Sequence, residues 1–190
     1  MSEQAASGLT TEAFDDVLVA ARANAPWAFE RLYSRFAPAV AGYLRMRGAV
    51  DADGLTNEVM LGVFRGLPSF EGDAERFRSW VFTIAHHRLV DDRRRQAVRV
   101  RTSELESHHE PVGGDVEHEA VAELQHDHVR ALLDPLTVEQ RDVILLRVVA
   151  DLSVEEVATV LGKRPGAVKM LQRRALASLR RRLEREGVTS

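Results

Sequence analysis

Residues 153–171, Ser-Val-Glu-Glu-Val-Ala-Thr-Val-Leu-Gly-Lys-Arg-Pro-Gly-Ala-Val-Lys-Met-Leu, admit few folds. Ser153 is a natural helix N-cap, and Glu156 three residues on can close a capping box with it. Val154, Val157, Ala158 and Leu161 repeat at helical spacing, so this helix buries one face. Ala158 stands where a second helix must cross closely. Gly162 then marks a turn, because a positive φ costs glycine nothing. Pro165 suits the first turn of the next helix, where its missing N–H is not needed. In that helix Val168 and Leu171 point back to the first, leaving Lys169, Met170, Arg173 and Arg174 facing out. The pattern predicts a helix-turn-helix whose basic outer face suits duplex DNA. The plainer alternative is an αα-hairpin with a solvated basic face.

At 190 residues the chain has room for one medium domain or two small ones. It contains no cysteine, which excludes disulfides, thiolate catalysis and cysteine-ligated zinc. No stretch approaches the ~18 apolar residues of a membrane span, and the N-terminus lacks a basic-then-apolar leader, so a cytoplasmic location is expected. The net charge of −3 is unusual for an autonomous DNA binder. Its signs are segregated, however. Acids dominate residues 1–16 and 104–127, whereas arginines crowd 93–101 and 173–185. Such asymmetry suggests basic faces for nucleic acid and acidic faces for something else.

Everything periodic in the chain has the helical period. Residues 10–24 form a short amphipathic helix candidate. Trp27, Phe29, Leu32, Tyr33, Phe36, Val40, Tyr43 and Leu44 trace the apolar stripe of a longer helix that stops at Gly48. Asp51 or Asp53 can cap the next, which carries Leu55, Val59, Val63 and Phe64 until Leu67-Pro68 ends it. A polar loop over 71–76 precedes a long helix from about Phe77 into Arg93-Arg94-Arg95. The pattern is lost over 96–116, and resumes with Val121, Leu124, Val129, Leu132 and Leu133. Asp134-Pro135 breaks that helix, and Thr137 with Gln140 can cap the next. The expected fold is all-α: an N-terminal extension (1–24), a first helical domain (25–95), a flexible linker (96–120) and a second helical domain (121–187). Some twenty linker residues reach ~66–72 Å when extended.

The residues that look chemical are weaker signals. His86-His87, His126-Asp127 and Asp91-Asp92 echo the ligand set of helical metal-dependent phosphohydrolases. Neighbours at i and i+1 on a helix diverge by ~100°, however, so His86 and His87 do not easily face one metal. The plainer reading is exposed polar histidines. Trp80 and Phe82 could stack on unpaired bases, but at helical spacing with Val81, Ile84 and Ala85 they read as core. The Arg93–Arg95 run is either a solvated helix end or a phosphate contact.

Three segments together carry a resemblance. Residues 51–70 (DADGLTNEVMLGVFRGLPSF) and 77–95 (FRSWVFTIAHHRLVDDRRR) are similar to sigma region 2. Residues 133–147 (LDPLTVEQRDVILLR), with the helix-turn-helix, are similar to sigma region 4. Their order, and the absence of a domain between them, resemble the extracytoplasmic-function (group IV) sigma factors of bacterial RNA polymerase, over about residues 25–95 and 125–185. The resemblance implies a promoter-specificity subunit rather than an enzyme. It places Asp53, Asn57, Glu58 and Leu61 on the clamp helices of the polymerase β′ subunit. Asp73, Arg76, His87, Arg88 and Arg94 would hold the −10 element, with one base flipped from the melted strand. Arg164, Lys169, Met170, Arg173 and Arg174 would read the −35 element as duplex. Core RNA polymerase, promoter DNA and an anti-sigma protein are the implied partners, with no cofactor, metal or membrane insertion. Gly54 departs from the family's usual acid and His87 from a common Asn. Arg164 stands where a capping Ser or Thr is usual. A plain helix-turn-helix repressor would explain residues 137–185 only, and no heptad seam is present for the dimer it would need.

Overall fold

The computed structural model describes residues 11–103, 129–185 and 187. Among these every regular element is helical: α1 (Thr11–Arg22), α2 (Pro26–Met46), α3 (Ala52–Gly66), a 3-10 turn (Leu67–Ser69), α4 (Ala74–Ser103), α5 (Val138–Val148), α6 (Val154–Leu161) and α7 (Pro165–Arg185). Residues 129–133 are helical as well, and Asp134-Pro135 ends that stretch in a turn. The remainder of the expected linker, with the apolar positions Val121 and Leu124, lies outside the described residues.

The first bundle is organised by three edge-on phenylalanines from three helices. Phe14 of α1, Phe36 of α2 and Phe77 of α4 meet with ring centroids 5.3–6.1 Å apart, the offset geometry that aromatic quadrupoles favour. Phe14, Val17, Leu18 and Ala21 are all buried. The segment expected to be an N-terminal extension is therefore part of the core, since its apolar stripe has no other cover. Trp27 and Tyr33, assigned to the core stripe of α2, are exposed instead, while Ala28 and Ala37 take buried places. Small residues there let α1 and α3 approach closely.

Local capping sets the boundaries. Asp51, not Asp53, caps α3: its Oδ1 accepts from Gly54 N at 2.7 Å. A Cβ at residue 54 would run into that carboxylate, so glycine lets the cap fold over the first turn. Asp73 Oδ1 accepts from Arg76 N at 2.9 Å, and α4 starts at Ala74, three residues before the expected Phe77. Half of the expected polar loop is thus the first turn of a capped helix. At its other end α4 runs to Ser103, past the expected boundary at Arg95; the 96–120 linker as drawn from sequence begins inside a helix. Gln96 Nε2 donates to Asp92 Oδ2 at 2.8 Å, one of the i,i+4 links that carry it onward.

The second bundle follows the sequence closely. Thr137 with Gln140 and Ser153 with Glu156 form complete capping boxes. Gly162 closes α6 in the left-handed conformation (φ 61°), with Lys163 N donating to Ala158 O at 2.8 Å. Val143, Leu146, Leu152, Val157, Ala158, Val168 and Ala175 form its core. The two bundles do not stand apart: α6 packs on α4, and α5 meets α2.

Gly66 holds a close approach of α3 to α4, because a Cβ there would lie 2.7 Å from the Trp80 ring. That ring is stacked on Phe70 at 5.0 Å. Gly66→Ala should cost about 1–3 kcal/mol by overpacking, despite alanine's better helix propensity. Urea unfolding followed by circular dichroism measures it; an unchanged or raised midpoint would contradict the packing argument.

Candidate functional site

The structure places the expected site residues on three separate faces. Asp53, Asn57 and Leu61 recur every four residues along α3 and share an exposed stripe, with Glu58 beside it. Leu61 is 52% exposed, a large apolar side chain with no cover. Asn57 is oriented from behind, since Tyr33 Oη donates to its Oδ1 at 2.7 Å and the amide nitrogen is left facing solvent. Asp53 is engaged by Arg45 at 2.5 Å, and Glu58 lies 3.9 Å from Arg95. Both pairs are solvent-screened and readily exchanged.

The second face lies along α4. Arg76, His87 and Arg94 fall on a single line of the helix and are exposed. Arg88 is also exposed but lies about a quarter turn away. Asp73 serves first as the cap of α4. Trp80 is half-buried between this line and the Phe70 ring, and Phe82 is fully buried.

The third face is the outer side of α7. Lys169, Met170, Arg173 and Arg174 are exposed while Val168 and Ala175 are buried, and Arg164 is exposed just ahead of the helix. Lys163 turns away, donating to Glu139 of α5 at 2.6 Å, and so ties the turn to the scaffold. A helix with a buried apolar seam and four adjacent cationic or apolar side chains on its free side fits a major groove.

What sequence reasoning missed is a polar cluster between the bundles. Arg47, the residue that caps the C-terminal end of α2, and Asp142 of α5 form a buried ion pair, with Arg47 Nη2 donating to Asp142 Oδ2 at 3.1 Å. Tyr43 Oη donates to Asp142 Oδ1 at 3.1 Å. Its one proton is thereby used, so in the 2.9 Å contact with His86 the ring Nδ1 donates and the phenol accepts. Arg93 donates to the Arg47 carbonyl. Burial, reinforced by Asp142, pushes the Tyr43 phenol well above its ordinary range. Burial likewise holds His86 below the usual histidine value, with Arg47, His87 and Arg93 adding to the effect and Asp142 opposing it. The sequence signal was Asp142 at the head of the apolar run Val-Ile-Leu-Leu, a position where a charge requires a partner. His86 is thus not the exposed histidine expected, because its ring turns inward while His87 faces out. His108, His109, His118, His126 and His128 lie outside the described residues.

Comparisons with known proteins identify the two regions that carry these faces. Residues 32–99 match sigma-70 region 2, and residues 126–179 match sigma-70 region 4. The extracytoplasmic-function RNA polymerase sigma factor SigD of Mycobacterium tuberculosis is 33% identical over 178 residues, covering 89% of this chain and 83% of the relative. BldN of Streptomyces coelicolor, a factor of the same kind, is 32% identical over 167 residues. That match covers 86% of this chain and 63% of BldN. The fold is that of CnrH in its complex with the cytosolic domain of CnrY, with a TM-score of 0.65 and 24% identity over 89% of this chain and 96% of that one.

The buried cluster makes the fold sensitive to acid. The groups that face His86 are Tyr43 and Arg47 from α2, His87 and Arg93 from α4, and Asp142 from α5. With its value lowered in the folded state, His86 stays neutral while the unfolded chain takes up a proton. Stability is therefore complete above the ordinary histidine value of about 6.5 and falls as pH drops through it. His86→Gln should flatten that decline. Urea midpoints at about pH 7.5 and 5.5, compared between the two proteins, check this; equal slopes would exclude His86 as the source.

Proposed function

The chain belongs to the extracytoplasmic-function sigma factors of the sigma-70 family, and on that premise we propose that it is a promoter-specificity subunit of bacterial RNA polymerase. The observation that carries the reading is the division of labour among three exposed faces on two matched regions. The α3 stripe of Asp53, Asn57, Glu58 and Leu61 combines an uncovered apolar side chain with acids, a surface suited to a protein helix rather than to DNA. It docks on the β′ clamp helices. The α4 line of Arg76, His87 and Arg94, with Asp73 and Arg88 at its margins, holds the melted −10 strand. Arg164, Lys169, Met170, Arg173 and Arg174 read the −35 duplex, with Met170 offering only apolar contact, as to a thymine methyl.

The protein acts by selecting and opening promoters, not by catalysis. No helix among the described residues is long and apolar enough to cross a membrane, in keeping with work beside the chromosome in the cytoplasm. Fold relatives solved with protein partners, CnrH with the cytosolic domain of CnrY and RpoE of Bartonella quintana with the anti-sigma factor NepR, support an anti-sigma partner here as well.

In vitro transcription with core polymerase on a genomic library, with start sites mapped, tests the reading as a whole. Start sites sharing two spaced elements are expected, and transcripts no different from core alone would overturn it. Glu58→Arg should abolish co-purification with core while leaving the helical circular dichroism intact; wild-type affinity would remove α3 from the docking face. Arg173→Ala should weaken promoter recognition by about 1–3 kcal/mol and relax one base preference if the guanidinium is bidentate to guanine. An unchanged promoter set at unchanged rates would sink that assignment.

A further inference from the structure

Helix α1 lies ahead of both matched regions, and its buried face of Phe14, Val17, Leu18 and Ala21 already holds it on the first bundle. Its last turn carries a side chain that this packing does not use. Arg22 is exposed, and its Nη2 donates to the carbonyl oxygen of Phe70 at 2.5 Å, across 48 positions of the chain. The guanidinium carbon also stands 6.0 Å from the Phe70 ring centroid. Phe70 is the last residue before the exposed stretch Glu71-Gly72-Asp73, which leads into α4. Its own N–H donates to Leu67 O at 3.1 Å. Its ring packs on Phe77 and Trp80 of α4, at centroid distances of 5.2 and 5.0 Å. The stem of the loop is thus held through its N–H, its ring and its carbonyl, and the bond to the carbonyl brings in a distant part of the chain.

From this geometry we propose that Arg22 is a positioning residue for −10 recognition: it pins the Phe70 carbonyl, and so sets where the 71–76 segment presents Asp73 and Arg76 to the strand. The inference rests on the assignment of that segment and of α4 to the −10 element. The loop transmits such a constraint because it is short and closely folded. Asp73 caps α4 through Arg76 N, and only Glu71 and Gly72 separate that cap from the pinned carbonyl. Gly72 has φ 153°, and a Cβ there would lie 2.9 Å from Arg76 Cβ, so the loop backbone runs against the Arg76 side chain. Release at Phe70 therefore frees the cap, and with it the first turn of α4 that carries Arg76. The bond from Arg22 is exposed, so its loss leaves the apolar core of the bundle as it is. Its effect falls on the loop.

The test uses holoenzyme reconstituted with core polymerase on one promoter mapped for the wild-type chain, alongside copies with single-base changes in the −10 or the −35 element. Arg22→Ala should lower the preference for the unaltered −10 element about fivefold, the weight of one net hydrogen bond, and leave the −35 preference as it was. Arg22→Lys, which keeps a cationic donor, should recover part of the −10 preference. An unchanged −10 preference overturns the proposal, and so does an equal loss at both elements, which a merely structural role would give. A wild-type chain indifferent to the −10 element overturns the assignment of α4, and the proposal with it. The anchor itself is read without polymerase or DNA. In a Trp27→Phe background Trp80 is the one remaining tryptophan, and Arg22→Ala should increase its quenching by acrylamide as the stacked Phe70 loosens. Unchanged quenching overturns the anchor, whatever the transcription assay gives. Circular dichroism confirms that both variants are folded.

Discussion

Two opposite charges removed from water between α2 and α5 set the relation of the two bundles. A guanidinium and a carboxylate in an apolar setting each lose several kcal/mol of hydration, recovered only when every lone pair and N–H is used. The surroundings meet much of that condition, although the Arg47 Nε makes only an ion-pair contact with Asp142 and no regular hydrogen bond. Asp142 accepts from Arg47 and the Tyr43 hydroxyl, the Arg47 carbonyl accepts from Arg93, and the phenol oxygen accepts from His86 Nδ1. Such a cluster adds little net stability over a well-packed apolar contact, but it tolerates only one relative placement of the helices. Apolar surfaces slide; a donor and acceptor set of this kind does not.

That specificity explains why the surfaces that meet need not resemble a domain core. The faces of α4 and α6 that meet carry Arg76, Glu155, Thr159 and His87, a composition that remains soluble when parted. The buried apolar residues form one continuous cluster, centred on the phenylalanine triad in the first bundle and on Val143, Leu146 and Val168 in the second. The boundary is mixed rather than purely polar, since Val90 and Trp80 of α4 and Val160 and Leu161 of α6 line the same clefts.

The charge distribution follows the same division. The overall balance of −3 limits non-specific attraction to a polyanion, because phosphate affinity grows with the number of counterions that Lys and Arg displace. The cations of the proposed DNA faces lie on and just ahead of α7 and along α4, while several others are committed to structure: Arg47 to Asp142, Lys163 to Glu139 and Arg147 to the Leu152 carbonyl. Counting arginines in the sequence overstates the basic surface, since burial and pairing remove some of them from it.

Local rules made much of this protein legible in advance. The capping boxes at Thr137 and Ser153, the left-handed Gly162 and the outward face of α7 depend on neighbours within a few residues, where hydrogen-bond geometry and helical period act alone. The start of α4 at Ala74, inside the expected 71–76 loop, was not legible for the same reason in reverse: a cap and a loop residue look alike until the helix behind is seen to be covered. The exposure of Trp27 and Tyr33, the burial of α1, the inward turn of His86 and the partnership of Tyr43, Arg47 and Asp142 were not legible. Each depends on which helix lies alongside, across ninety-five residues between Arg47 and Asp142, and no local period encodes that. Sequence determined the helices, their caps and the chemistry on their faces. Only the tertiary structure decided which faces are left for partners, because burial is a property of two surfaces and a sequence describes them one at a time.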